Sequence, residues 1–243
     1  MGVLTVRKFY PLEMYVLDNL ANQRLSCSNP KNFNDPFDCK LKDDKIICSA
    51  LDKDQIELIN QMHVLCTFEV GNKKDVDEFN KIQRYFWSFY GDSHKGVCVE
   101  FDLPVKDDSS DTKGIFSFDN TSGFFDEKTD SFFSGRANYL SDYLKNLSTI
   151  IANTKRDSFS DVLRTIGFTK DDVFSNEREF RIINLGEKDN DDYSFFNIEK
   201  YKKRIIFGNR CNKGVRSMIK SALRGKFDSF YYVNDNLEEE KDV

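Results

Sequence analysis

Residues 87–101, Trp-Ser-Phe-Tyr-Gly-Asp-Ser-His-Lys-Gly-Val-Cys-Val-Glu-Phe, carry the chain's one tryptophan and one of its two histidines, on a helix end that turns into a strand. Just upstream, Phe79, Ile82, Phe86 and Tyr90 fall at helical spacing, so this segment closes an amphipathic helix. Gly91 suits the stop, because glycine takes the left-handed cap conformation without a Cβ clash. After a turn with His94 and Gly96, Val97, Val99 and Phe101 alternate with Cys98 and Glu100 as in a half-buried strand. An aromatic cluster, a hydroxyl and an imidazole therefore gather at one strand mouth. Aromatics at this spacing serve equally as core, and the segment alone does not choose between core and site.

Outward from this junction, helix and strand signals alternate. Residues 3–10 read as a first strand, and Pro11 with Leu12, Tyr15, Val16, Asn19 and Leu20 as a short helix. Residues 24–28 and 63–69 read as strands, 29–38 as a turn segment dense in Asn, Asp and Pro, and 52–61 as a helix. Residues 136–155 carry Tyr139, Leu140, Tyr143, Leu144, Leu147, Ile150 and Ile151, the stripe of a long packing helix. Residues 177–184, 204–208 and 226–233 read as the last three strands, with a basic helix at 213–223. The expectation is one α+β domain over residues 1–234, a mixed, mostly antiparallel β core flanked by helices. Polar residues 105–135 read as an insertion or flap, and 235–243 as a disordered acidic tail.

The 243 residues suffice for one large domain with a substantial core, and the 23 phenylalanines make that core aromatic. A formal charge of −5 and a pI near 5.3 argue against a general polyanion binder. Six cysteines without a Cys-x-x-Cys pair, a signal peptide or a long apolar run point to reduced thiols in a cytoplasmic protein with no membrane association. With only His63 and His94 available, no metal site is expected.

Two further segments hold chemistry. In residues 32–38, Asn-Phe-Asn-Asp-Pro-Phe-Asp, Asn34 and Asp35 can bond nearby backbone while Pro36 biases Asp35 towards an extended conformation. That makes either a capped turn or a polar loop able to hold a ribose or an amide. In residues 176–183, period-two alternation places Glu177, Glu179 and Arg181 on one strand face, with the carboxylates about 7 Å apart at a rise of ~3.4 Å per residue. They form either a charge-stabilising pair or a solvated row of ion pairs.

In order along the chain come Arg7-Lys8-Phe9-Tyr10, Phe33-Asn34-Asp35-Pro36-Phe37-Asp38, Trp87-Ser88-x-Tyr90-x-x-x-His94-x-Gly96 with Glu100-Phe101, and Lys170 ahead of Glu177-x-Glu179-x-Arg181. This series resembles the bacterial domain-of-unknown-function family 2971, from about Val3 to Gly208. Phe174 and Phe180 stand where that family usually has tryptophan, and Asn176 where it usually has tyrosine. The layout is also similar to ADP-ribosyltransferases, in which an early strand supplies an arginine or histidine, a middle one a serine or tyrosine, and a late one a glutamate.

The second resemblance implies NAD as substrate and an ADP-ribosyltransferase-like fold. On it, Glu179 stabilises the ribosyl cation, with Glu177 and His94 assisting, His94 as a hydrogen-bonding group on the ribose. Trp87 or Tyr90 stacks on nicotinamide, Arg7 or Arg181 pairs with pyrophosphate, and Asn34 and Asp35 hold a ribose hydroxyl or carboxamide. Lys8, Tyr10 and Ser88 complete the expected nucleotide site. The implied partners are a nucleotide, an acceptor protein or nucleic acid, and a neutralising or companion subunit, as for a toxin-like effector in bacterial anti-phage defence. Two other readings stand beside it. One is a nuclease-like enzyme using His94 and the late basic residues Lys202, Lys203, Arg204, Arg210, Lys213, Arg216, Lys220 and Arg224. The other is a non-catalytic sensor of a nucleotide or phage component.

Overall fold

Strand-forming residues dominate the elements of the computed structural model, which describes residues 2–35, 38–39, 51–70, 76–105, 115–116, 132–142, 166–185 and 192–242. In chain order these are β1 (Gly2–Tyr10), α1 (Met14–Ala21), β2 (Arg24–Ser28), a 3-10 turn (Pro30–Asn32), α2 (Lys53–Asn60), β3 (His63–Glu69), α3 (Val76–Phe89) and β4 (Val97–Val105). There follow β5 (Ile115–Phe116), β6 (Phe132–Arg136), β7 (Asn138–Leu140), β8 (Thr169–Asp171), a 3-10 helix (Asp172–Glu177), β9 (Glu179–Asn184) and β10 (Tyr193–Asn197). The chain ends with β11 (Lys203–Phe207), α4 (Lys213–Leu223), β12 (Ser229–Val233) and β13 (Glu239–Lys241). The fold is α+β, and its strand pairings are mostly antiparallel.

The chain forms two compact units, the first from residues 1–25, 67–105 and 196–243 and the second from 26–66 and 106–195. In the first, all of β1 pairs antiparallel with β4, and β4 pairs antiparallel with β11. β11 and β12 run parallel, joined by α4, since parallel neighbours need a crossover connection. Asn212 caps that helix, its side-chain oxygen accepting from the Gly214 and Val215 amides. The core gathers Phe9, Phe68, Ile82, Phe86, Trp87, Cys98, Ile206 and Val233. Phe9 stacks on Phe86 at 5.3 Å and meets Trp87 edge-on at 5.0 Å.

In the second unit, β6 pairs antiparallel with β9 and with β5, and β7 runs parallel to β8. Its core is Cys39, Ile59, Met62, Val64, Ile166, Phe168 and Ile183.

Three expectations are corrected. Residues 136–142 are not helical: Arg136 ends β6 opposite Phe180, and β7 pairs with β8, so pairing with distant strands overrides a stripe whose apolar residues also suit a strand. The rest of that expected helix, and of the expected flap except Val105, β5 and the part of β6 up to Gly135, lies outside the described residues. The late strand starts at Glu179 rather than Glu177, because Glu177 closes a 3-10 helix and Arg178, at φ +43°, turns the chain into β9. The acidic tail is ordered, with β13 pairing antiparallel to β12.

Candidate functional site

The turn from the 3-10 helix into β9 concentrates charge inside the second unit. Arg181 is fully buried, and its guanidinium donates to Glu179 Oε2 from Nε at 3.1 Å and Nη2 at 2.8 Å, to Asp38 Oδ2 at 2.7 Å and to the Gly167 carbonyl at 2.9 Å. Lys170 Nζ, on β8, donates to Glu177 Oε2 at 2.6 Å and Glu179 Oε2 at 3.4 Å, and lies 3.7 Å from Asp38 Oδ2. The ammonium also sits 4.7 Å from the Phe174 ring centroid. The Glu179 amide donates to the Tyr139 hydroxyl at 2.9 Å. Burial alone would raise the Glu179 pKa, but the attraction of Arg181 and Lys170, with hydrogen bonds from Cys66 and Arg181, holds it at about 2. Lys170 loses by burial but is raised overall, chiefly by Glu179. Burial pushes the Cys39 thiol well up, so it stays neutral. The cluster thus opposes three carboxylates, Asp38, Glu177 and Glu179, to two cations. Glu177, Glu179 and Arg181 are buried, not a solvated row of ion pairs.

A second charged cluster lies within the first unit. Arg7, 1% exposed, donates to Glu100 Oε2 from Nε at 2.8 Å and to Gln83 Oε1 at 3.0 Å, and its Nη2 meets both Glu100 and Glu239. Arg204 pairs with the same two carboxylates, at 3.0 Å to Glu100 Oε2 and 2.9 Å to Glu239 Oε2. The β1–β4 and β4–β11 register builds this group, placing Arg7 and Arg204 on either side of Glu100. Both Arg7 and Arg181, expected to pair with pyrophosphate, are thus engaged with internal carboxylates.

The third feature is the turn after α3. Asp92, Ser93 and His94 all have left-handed backbones, at φ +48°, +52° and +71°, which non-glycine residues adopt at a cost of about 1–3 kcal/mol each. Packing fixes them there: the His94 amide donates to the Trp87 carbonyl at 3.0 Å, and the Arg210 amide donates to the His94 carbonyl at 3.0 Å. Backbones approach so closely that a Cβ on Gly208 would stand 2.1 Å from the His94 oxygen, and one on Gly96 2.1 Å from the Tyr10 oxygen. His94 Nε2 lies 3.5 Å from Ser88 Oγ. Burial, then Arg210 and Arg84, lower the His94 pKa. Trp87 is wholly enclosed, which makes it core rather than a stacking surface for nicotinamide.

Of the residues singled out from sequence, Arg7, Lys8, Tyr10, Trp87, Ser88, Tyr90 and His94 belong to the first unit, and Asn34, Asp35, Glu177, Glu179 and Arg181 to the second. Lys8 lies 5.7 Å from the Tyr10 ring, Tyr90 is half-buried against the aromatic core, and Asn34 is exposed. Sequence reasoning missed Lys170 and Asp38 as members of the Glu179 cluster, Glu100 and Arg204 as partners of Arg7, and Glu239 altogether. Lys170 and Asp38 stand within the motifs quoted, but nothing in linear spacing announces that they meet. Of the late basic residues, Arg204 is taken by carboxylates, Lys203 donates to the Glu199 and Tyr201 carbonyls, and Lys220 and Arg216 approach Asp242. That removes half of the groove a nuclease-like reading needs.

Among the described residues, no group of three or more His, Cys, Asp or Glu side chains is placed to hold a metal ion. No described helix is long and apolar enough to cross a membrane. Cys27, Cys39, Cys66, Cys98 and Cys211 are free thiols. No curated protein and no solved structure matches the chain. Residues 86–182, which hold the Trp87-to-Gly96 turn and the Glu179 cluster's Lys170, Glu177, Glu179 and Arg181, match the model of the family described as Protein of unknown function (DUF2971), the same family that the chain's motifs resemble.

Proposed function

We propose that this chain is an NAD-dependent ADP-ribosyltransferase or NAD glycohydrolase in which Glu179 is the charge-stabilising carboxylate. One observation carries the reading: among the described residues, the buried cluster gathers three carboxylates, Asp38, Glu177 and Glu179, around Arg181 and Lys170. Carboxylates fixed in a buried setting stabilise a cation that forms beside them. Heterolysis of the nicotinamide–ribose bond generates such a cation: the electron pair leaves with nicotinamide, and the ribosyl carbon turns positive. A nucleophile, either water or an acceptor side chain or base, then adds its lone pair there and releases a proton. Lys170 holds Glu177 and Glu179 in place, and Asn34 and Asp35 supply oxygens for a ribose hydroxyl or carboxamide. The cytoplasmic location, the toxin-like role in anti-phage defence and a neutralising partner belong to the same reading.

The test is nicotinamide release from NAD in the presence of cell lysate, with E179Q as the comparison and circular dichroism to check its fold. Release by the wild type, reduced about 100-fold or more in a folded E179Q, supports the proposal. No release, or equal release by the variant, overturns it. A non-catalytic nucleotide sensor is the second reading, favoured by the fact that Glu179 Oε2 already accepts from both cations. On that reading E179Q keeps nucleotide binding and the wild type consumes no NAD.

A further inference from the structure

We propose that the turn after α3 is a binding site for a diphosphate group, built by Arg84, Ser88, His94 and Arg210. Arg84 and Ser88 are four residues apart on α3 and share one helix face. Ser88 Oγ stands 3.5 Å from His94 Nε2, and the Arg210 amide is bonded to the His94 carbonyl at 3.0 Å. Helix, strained turn and the loop after β11 thus bring the Ser88 hydroxyl and the His94 imidazole together, with Arg210 joined to His94 through its backbone and both Arg84 and Arg210 near enough to lower the His94 pKa, all within the first unit. Among the described residues, neither Arg84 nor Arg210 has a carboxylate partner, in contrast to Arg7 and Arg204.

The imidazole is set up as a donor. His94 Nδ1 is buried without a hydrogen-bond partner, and an unpartnered lone pair costs less there than an unpartnered N–H. The ring proton therefore belongs on Nε2, the nitrogen that faces Ser88. Donors arriving from three chain segments match a tetrahedral anion better than a planar carboxylate, and forked guanidiniums bond phosphate oxygens bidentately. Asp92 and Lys95 of the same turn are exposed and of opposite charge, so they leave the balance of the site to its arginines. The three successive left-handed residues are held by the Trp87 and Arg210 backbone bonds, and strain retained in this way accompanies function.

This site stands independently of the NAD reaction, because its probes are pyrophosphate and ADP and its readout is binding. Equilibrium dialysis with labelled pyrophosphate, at constant ionic strength, measures affinity, and the emission of Trp87, whose ring stacks 6.2 Å from that of His94, reports occupancy. Arg84 and Arg210 are exposed, so the R84Q/R210Q double variant folds. Saturable binding by the wild type, weakened at least about tenfold in the double variant, supports the site. ADP retained on the same residues assigns the diphosphate to a nucleotide, and pyrophosphate retained alone assigns it to the free anion. Absence of binding to both probes, or binding unchanged in the double variant, overturns the proposal.

Discussion

The chain buries two ion clusters of opposite design. In the first unit, Arg7 and Arg204 face Glu100 and Glu239, two charges against two, and each carboxylate meets both guanidiniums. In the second, among the described residues, Arg181 and Lys170 face three carboxylates, Asp38, Glu177 and Glu179. A balanced buried cluster satisfies itself and needs nothing further to be stable. An unbalanced one holds a field ready for a cation that is not always there. The difference separates a fold-holding network from a candidate site more sharply than burial does, because the charged side chains of both are at most 21% exposed.

The comparison breaks most readily at the arginines. Arg181→Met leaves three carboxylates facing Lys170 alone, and the expected loss is about 3–5 kcal/mol, the range for breaking a buried pair. Arg7→Met leaves two carboxylates with Arg204, which is 21% exposed and can share its charge with water, so the expected loss is smaller, about 2–3 kcal/mol. Denaturant unfolding of both variants checks the order. A larger loss for R7M would mean that the charge imbalance has no energetic weight.

Acid sharpens the same contrast. Glu179 falls from its ordinary 4.5 to about 2 in the folded chain, because Arg181 and Lys170 outweigh its burial. A depressed carboxylate adds stability above its unfolded pKa and loses it as pH falls through the folded one. The contribution is therefore complete above pH 4.5 and gone near pH 2. Its size is on the order of 3 kcal/mol. Glu100 is also lowered, with burial opposing and the Arg204 hydrogen bond and Arg7 prevailing. Urea midpoints measured from pH 7 downward should show the acid limb flattened more by E179Q than by E100Q. Equal flattening would erase the distinction between the clusters.

Much of the fold was legible because local signals agreed with tertiary pairing. β1, β2 and α4 follow from periodicity and caps, whereas α1 starts at Met14, beyond Pro11 and Leu12, and the left-handed residues after α3 are Asp92, Ser93 and His94 rather than Gly91. Asn138–Leu140 was illegible as a strand because Tyr139 and Leu140 suit either period, and only pairing with Thr169–Asp171, some thirty positions on, decides. For the candidate site, Glu179 and Arg181 stood out by alternation. Asp38 did not, since a segment of Asn, Asp and Pro reads as a turn whether or not its last carboxylate turns inward. The strained turn at His94 was visible as a gathering of rare residues. Its charge was not, because Arg210 comes to it from a distant part of the chain, joined through the backbone bond to His94.

The smallest effects lie at the chain's end, where Glu239 of the balanced cluster and Asp242 of a partly exposed pair lie within four residues. Glu239 accepts from Arg7 and Arg204, and its side chain is 13% exposed. Asp242 meets Lys220 at 3.2 Å, with both side chains in partial contact with water. Glu239→Gln should cost about 1–3 kcal/mol, since two guanidiniums lose a charged acceptor in a dry setting. Asp242→Asn should cost about 0.5 kcal/mol or less, and that small loss should shrink further in high salt. Thermal melts of the two variants at low and high ionic strength measure both terms. If E239Q proved as mild and as salt-sensitive as D242N, the Arg7 network would be a surface ion pair in energetic terms. The balance of its charges would then have no bearing on the imbalance around Glu179.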